Sequence, residues 1–218
     1  MKKKTILCGA AIGTMAFCGS ASADILAEWD GVEGTTIPAN DVATGLTGMD
    51  LSRGPGIAEA TGSNFNSNGF DDTALDFDDA IAADDYLSFG FTVDSGTVDL
   101  TTILVELDRS STGPATVGLF SSVDGFDDAS DLIQSFSVST SGTILTFDVS
   151  SLTGLTGTVE FRFYFFGATS TLGTADIEDD LIDADATGLQ INGTIPAPGA
   201  LALLGIAGLA GARRRRRA

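Results

Sequence analysis

Seven short stretches rich in β-branched, aromatic and other apolar residues recur along the chain, and most of them alternate apolar with polar residues. A period of two is typical of β-strands, because successive side chains of a strand point to opposite faces of a sheet. Gly, Ser and Asp residues separate the stretches, as expected for turns. The pattern predicts an all-β domain, an antiparallel β-sandwich, with strands at residues 86–93, 98–108, 115–121, 133–138, 143–149, 158–166 and 188–192.

Three phenylalanines, Phe161, Phe163 and Phe165, share one face of the strand at 158–166. This spacing predicts that they lie in the inner layer of one sheet. An aromatic platform for sugars is the alternative, and core packing is the favoured interpretation. Trp29, the single tryptophan of the chain, lies on a short first strand and is expected to be buried.

The regions between the strands are predicted from their turn residues. A turn is expected at residues 94–96, where Asp, Ser and Gly follow one another, and a loop at residues 64–70. The acidic stretch at 71–85 is expected to hold either one helical turn or an extended loop.

The N-terminus has the features of an export signal. Three lysines and an apolar stretch come first, followed by small residues at Ala21 and Ala23. This order predicts a signal peptide of residues 1–23, cleaved before Asp24. Both cysteines of the chain lie within it, so the mature protein is expected to have no thiol.

The C-terminal residues 195–218 form a second apolar segment flanked by basic residues. A turn containing two prolines precedes an apolar run at 199–212, which as a helix spans about 21 Å at 1.5 Å per residue. This is shorter than a hydrocarbon core of about 30 Å, and the basic flank is expected to stay in the cytoplasm. The run has no polar face, which a soluble helix would need, so a hydrophobic helix that anchors the protein in the membrane is predicted, with an amphipathic or buried core helix as the alternative. The residues that mark the segment are Pro196, Ala197, Pro198, Arg213, Arg214, Arg215, Arg216 and Arg217.

This segment resembles the PEP-CTERM sorting signal of exported bacterial proteins, with Ala197 where the family motif has Glu. The resemblance implies cleavage near residues 196–198 by an exosortase-type membrane protease. Residues 108–126 and 152–170 resemble ectodomains that precede such tails, which implies a jelly-roll-like sandwich over residues 24–194 and brings no activity with it.

The charge of the mature domain excludes one class of partner. Removal of both end segments leaves three cations, Arg53, Arg109 and Arg162, against all 30 carboxylates, a net charge near −27. Such a surface repels the phosphates of nucleic acid and anionic lipids. Nucleic-acid binding is therefore excluded.

The residue types that remain also restrict catalysis. The chain has no His, and its Cys residues lie in the signal peptide, so the usual nucleophilic triads and zinc sites are excluded. Paired carboxylates remain available, and Glu106 and Glu160 are the candidate pair for a glycosidase. The alternative is that each faces solvent or pairs with Arg109 or Arg162. These arginines are expected to neutralise carboxylates, and a clamp on an acidic sugar is the second interpretation.

Calcium is the candidate ion, because turn carboxylates and backbone carbonyls are the hard oxygen ligands that it prefers. Three acidic clusters qualify, at residues 71–79, 124–131 and 176–183, and solvated acidic loops are the favoured interpretation of all three. The residues predicted for calcium are Asp124, Asp127, Asp128 and Asp131.

Together these features predict an exported, single-domain protein of the cell surface or extracellular matrix. It is held in the membrane by its C-terminal helix until processing, is not an enzyme, has no established cofactor, and associates with exopolysaccharide. The alternative is a carbohydrate-active hydrolase that uses paired carboxylates.

Overall fold

The computed structural model describes residues 23–31, 34–62, 64–179, 182 and 187–196. Within these residues, one α-helix, α1 (Phe77–Ala83), and a 3-10 helix (Ala129–Asp131) accompany twelve strands. The strands are β1 (Asp24–Asp30), β2 (Asp41–Val42), β3 (Leu46–Arg53), β4 (Ala58–Glu59), β5 (Phe65–Asn68), β6 (Tyr86–Arg109), β7 (Thr116–Ser121), β8 (Gln134–Ser137), β9 (Thr143–Asp148), β10 (Leu155–Phe166), β11 (Ala175–Ile177) and β12 (Thr187–Thr194).

The strands form two antiparallel sheets that share β6. The back sheet has the order β3, β6, β10, β7, β8. The front sheet has the order β2, β1, β12, β6, β9. Strands β11, β5 and β4 continue the front sheet beside the last residues of β6. The predicted antiparallel sandwich is confirmed, and a jelly-roll topology stays a prediction.

The turn predicted at residues 94–96 is wrong. Strand β6 continues through it without reversing: residues 87–93 pair with β3 and β10, and residues 99–109 pair with β12, β9 and β11. Gly96, at φ +80°, lies where the strand passes from the back sheet to the front sheet. A reversal at residues 94–96 would pair the second half of β6 with its first half. Both sides of the first half are already paired, one with β3 and the other with β10.

Aromatic side chains fill the space between the sheets. Phe89 lies 5.6 Å from Phe161 and 4.8 Å from Phe163 between ring centroids, and its ring meets that of Trp29 edge-on at 5.7 Å. Trp29 is 0% exposed, and its indole N–H donates to the Met49 carbonyl at 3.0 Å. Phe165 is also buried. The predicted burial of Trp29 and of the three phenylalanines is therefore confirmed.

A second apolar cluster covers the outer face of the back sheet. Helix α1 places Phe77 against Phe120 and Phe166, with ring centroids 5.6 Å and 4.8 Å apart. Asp76 caps the N-terminus of the helix, because its side chain accepts the Asp79 N–H. The acidic stretch at 71–85 therefore contains a short helix, one of the two expected outcomes.

The loop predicted at residues 64–70 contains strand β5, so this prediction is also wrong. Phe65 and Ser67 are buried, and the strand pairs with both β4 and β11. The strand depends on a distant partner, since β11 comes more than one hundred residues later. Among the described residues, no helix is long and apolar enough to cross a membrane.

Candidate functional site

The outer face of the front sheet carries polar side chains where neighbouring strands align. Leu189 and Ile191 of β12 point into the core, so Gln190 and Asn192 between them face outward. The strand register aligns two transverse rows across this face. One row contains Thr146, Leu104, Gln190, Glu28 and Asp41, and the other contains Asp148, Thr102, Asn192 and Ile25.

Hydrogen bonds join these outward side chains into a chain. Asn192 Nδ2 lies 3.5 Å from Thr102 Oγ1 and donates to Gln190 Oε1 at 3.0 Å. Gln190 Nε2 donates to Glu28 Oε2 at 3.1 Å. We call Thr102, Asn192, Gln190 and Glu28 the polar row. Each side-chain amide is held in its orientation by a hydrogen bond to the next residue of the polar row, so these side chains are ordered without a ligand.

One end of the polar row meets a group of carboxylates at the β1–β2 edge. Glu28, Asp30 and Asp41 have oxygen atoms within 4.8 Å of one another, the one such group of three among the described residues. Glu28 is 7% exposed, and Asp30 Oδ1 accepts the Thr187 hydroxyl at 2.8 Å. A pocket of about 260 Å³ adjoins Glu28 and Asp41. Carboxylate oxygens at this spacing suit a hard cation such as Ca²⁺.

A pair of carboxylates lies further along the same face. Asp108 of β6 and Asp176 of β11 are register partners. Burial raises the pKa of Asp176 to about 7, with further contributions from Asp108 and Glu178, while Arg53 acts in the opposite direction. Like charges directly opposite on neighbouring strands destabilise a sheet, and a shared proton relieves that repulsion.

Arg53, near this pair, is held by several contacts. Its guanidinium lies 3.7 Å above the Phe65 ring centroid. It donates to Ser67 Oγ and to the Asn66 carbonyl, both at 2.9 Å. Burial lowers the pKa of Arg53. The side chain thus joins β3 to β5 at the end of the front sheet.

The candidate glycosidase pair is not brought together. Glu106 faces outward from the front sheet but is 0% exposed, which corrects the expectation that it faces solvent. Glu160 faces outward from the back sheet, where it pairs with Arg162 at 2.7 Å. The two carboxyls therefore lie on opposite outer faces of the sandwich, whose sheets pack about 10 Å apart. A glycosidase needs its two carboxyls about 5–9.5 Å apart across one bond.

The two arginines differ in their partners. Arg162 pairs with Glu160, as predicted, and lies between the rings of Tyr86 and Phe126, at 4.2 Å and 4.1 Å from the centroids. In the described part of the chain Arg109 instead donates to backbone carbonyls, those of Val138, Ser110, Ser111 and Gly113. Each guanidinium is thus occupied within the fold, and the clamp on an acidic sugar is not supported.

In the loop predicted to bind calcium, carboxylates accept hydrogen bonds from the backbone of the same loop. Asp131 Oδ2 accepts the N–H groups of Asp127 at 3.0 Å and Asp128 at 3.5 Å. Asp128 caps the 3-10 helix through the Ser130 N–H at 2.7 Å, and the bonds from Ser130 lower the pKa of Asp128. Asp124 accepts the Ser121 hydroxyl at 3.1 Å. Calcium at this loop stays a prediction.

The predicted processing sites lie at or beyond the limits of the described residues. Ala23 and Pro196 are described at the two ends of the domain. Ala21 and Ala197 lie outside, as do Pro198 and residues 213–217. The same holds for Asp180 and Asp183 of the third acidic cluster. Predictions that concern these residues stay predictions.

Comparison with known proteins gives only weak structural similarities. No protein-family model matches the sequence, and no curated protein matches it. A mutant family 29 carbohydrate-binding module complexed with cellulohexaose is similar at a TM-score of 0.35, with 13% identity over 81% of this chain and 90% of its own. A mutant complexed with mannohexaose has a TM-score of 0.33 and 11% identity, over 80% and 90%.

A family 36 carbohydrate-binding module in complex with calcium and xylotriose has a TM-score of 0.26, with 20% identity over 49% of this chain and 70% of its own. TM-scores this low establish neither a shared topology nor a shared ligand.

Proposed function

We propose that this protein is an exported, non-catalytic component of the cell surface or extracellular matrix that binds neutral polysaccharide on the outer face of its front sheet. The observation that carries the proposal is the polar row. Its amides and hydroxyl both donate and accept hydrogen bonds, and its carboxylate accepts them. Sugar hydroxyls need this combination.

The geometry of the face suits an extended chain. The transverse row that runs from Thr146 to Asp41, which differs from the polar row, crosses five neighbouring strands. At about 4.8 Å between strands it spans about 19 Å. Ordering of Gln190 and Asn192 before binding lowers the entropy that is lost when a ligand is held. Thr146 and Asp41 at the ends of this row are exposed, and Gln190 and Glu28 between them are 8% and 7% exposed, so the face offers several contacts in line rather than one deep pocket.

The charges support a neutral ligand. The domain carries three cations against 30 carboxylates, and Arg109 and Arg162 are engaged within the fold. An anionic polymer meets repulsion at such a surface. Glu28 and Asp41 at the end of the polar row offer acceptors for hydroxyl groups, or for a divalent cation that a sugar also contacts.

Export and sorting belong to the same proposal. The order of charges, apolar residues and small residues in 1–23 supports export. The PEP-CTERM resemblance of 195–218 supports retention in the membrane, processing by an exosortase-type protease and release to the surface or matrix. The placement of Glu106 and Glu160 on opposite outer faces supports a non-catalytic role.

Affinity electrophoresis of the purified protein tests the proposal, in native gels that contain a soluble cellulose derivative, a galactomannan or a xylan. Asn192→Ala and Thr102→Ala each remove one member of the polar row. Loss of one hydrogen bond is worth about 0.5–1.5 kcal/mol, so each variant is expected to bind roughly 3- to 10-fold more weakly.

The matched control is Thr158→Ala, an exposed threonine of the back sheet whose hydroxyl lies 2.9 Å from that of Thr92. It is expected to bind like the wild type. Equal retardation of all variants, or no retardation in any polymer, would contradict the proposal.

A further inference from the structure

A pocket lies where the edge strands of the two sheets approach each other. Strand β8 is the edge of the back sheet and β9 the edge of the front sheet, and Gln134 of β8 accepts the Asp148 N–H of β9 at 2.9 Å. Beside this contact lies an open pocket with a volume of about 420 Å³. It is lined by Asp124, Ser130, Asp131, Leu132, Ile133 and Ser151. Its volume is in the range of small-molecule sites, about 300–1,000 Å³.

The two carboxylates of the pocket are held in place by the loop. Asp131 accepts two backbone N–H groups, and Asp124 accepts the hydroxyl of Ser121. Gly125, at φ +118°, allows the chain to pass close to the Asp131 carboxylate, since a Cβ at this position would lie 3.1 Å from Oδ2. The acceptors are therefore preorganised, which lowers the entropic cost of binding.

The remaining lining has a different character. Leu132 and Ile133 are half-buried and pack against the two apolar clusters, Leu132 against that of the back sheet and Ile133 against the main core. They form an aliphatic wall. Ser130 and Ser151, whose hydroxyl groups can both donate and accept hydrogen bonds, complete the lining.

We propose that this pocket binds one unit of a neutral sugar, such as the end of a glycan chain, as a second site separate from the polar row. The carboxylates accept the hydroxyls of the sugar, and the aliphatic wall packs against its C–H surface. Hydrogen bonds to an ionised carboxylate are stronger than those between neutral groups, and neighbouring hydroxyls of a sugar ring supply the donors. An anionic sugar is excluded by the two carboxylates.

The test is a titration of the purified, isotope-labelled protein with neutral mono- and disaccharides of the gluco, galacto, manno and xylo series, followed by NMR. At least one sugar is expected to shift the backbone amide of Ser151 and the methyl signals of Leu132 and Ile133. Asp124→Asn and Ser151→Ala are expected to weaken that binding by about tenfold and threefold respectively, because they remove a charged and a neutral hydrogen-bond partner.

The matched control is Asp127→Asn, which removes the same charge from the same loop but not from the pocket lining. It is expected to leave sugar affinity unchanged. The proposal is overturned if no sugar in the series shifts these signals, if Asp124→Asn binds like the wild type, or if only added calcium shifts the loop. Because the polar row is untouched by these variants, polymer binding in the native gels reports separately on the front sheet.

Discussion

The Asp108–Asp176 pair predicts a pH-dependent stability that one substitution removes. In the folded protein burial raises the pKa of Asp176 from 3.8 to about 7. The folded state therefore holds a proton that the unfolded state has already released above about pH 4. By linkage, stability falls as pH rises from about 4 to about 7, and it stays at the lower value above that.

The magnitude follows from the size of the pKa shift. A shift of about three units corresponds to about 4 kcal/mol at 1.36 kcal/mol per unit. Asp176 keeps part of its surface in water, so solvent screening reduces this contribution to about 2 kcal/mol. Asp176→Asn replaces the proton donor by an amide that can donate to Asp108 at any pH. The variant is expected to be about 2 kcal/mol more stable than the wild type at pH 8 and no more stable at pH 4.

Urea unfolding at pH 4, 6 and 8 and constant ionic strength measures this difference. Asp50→Asn is the control for net charge, because Asp50 is exposed on β3. Its difference from the wild type is expected to be small and to show little pH dependence. The reasoning is refuted if Asp176→Asn is equally stable or less stable than the wild type at pH 8, or if Asp50→Asn gives the same gain.

Three other perturbations have defined outcomes. Trp29→Ala removes a fully buried side chain and is expected to lower the free energy of unfolding, measured in urea, by about 3–5 kcal/mol. Fluorescence of the native wild type that is typical of solvent-exposed tryptophan would contradict the burial of Trp29. If the carboxylates of Glu28, Asp30 and Asp41 bind calcium, the melting temperature should rise and saturate with calcium at fixed ionic strength, and Asp41→Asn should abolish the rise. A magnesium response of equal size would indicate non-specific screening, and no response to calcium would contradict the site. Replacement of residues 213–217 by Gln is expected to release the protein unprocessed, and unchanged membrane association and processing in cell fractions would count against a topological role for the arginines.

The alternation of apolar residues was enough to predict most strands and the faces they bury, because burial of one face is a local property of the sequence. The sequence-based prediction was wrong at residues 94–96, because a glycine with positive φ occurs both where a strand bends from one sheet to another and where the chain reverses. It failed again at β5, a four-residue strand with polar outward positions. That strand forms because of partners elsewhere in the chain, which local patterns do not reveal.

Only part of the candidate site could be predicted from the sequence. The polar residues Gln190 and Asn192 alternate with Leu189 and Ile191, a signal for an outward polar face. Their partners Glu28 and Thr102 lie 162 and 90 residues away, so the polar row depends on strand order. The loop at 124–131 looked like a metal site because its carboxylates are close in sequence. Several of them also accept hydrogen bonds from the loop itself, which the sequence does not reveal, and calcium at this loop stays a prediction.

NMR mapping of polymer binding tests the central claim most directly. A soluble neutral oligosaccharide, released from whichever polymer retards the protein, is titrated into the isotope-labelled chain. Polysaccharide binding on the outer face of the front sheet predicts that the side-chain amide signals of Gln190 and Asn192 shift with the same affinity as the backbone amide of Thr102. Shifts confined to the back sheet around Thr158, or none in the polar row at saturating ligand, would contradict it.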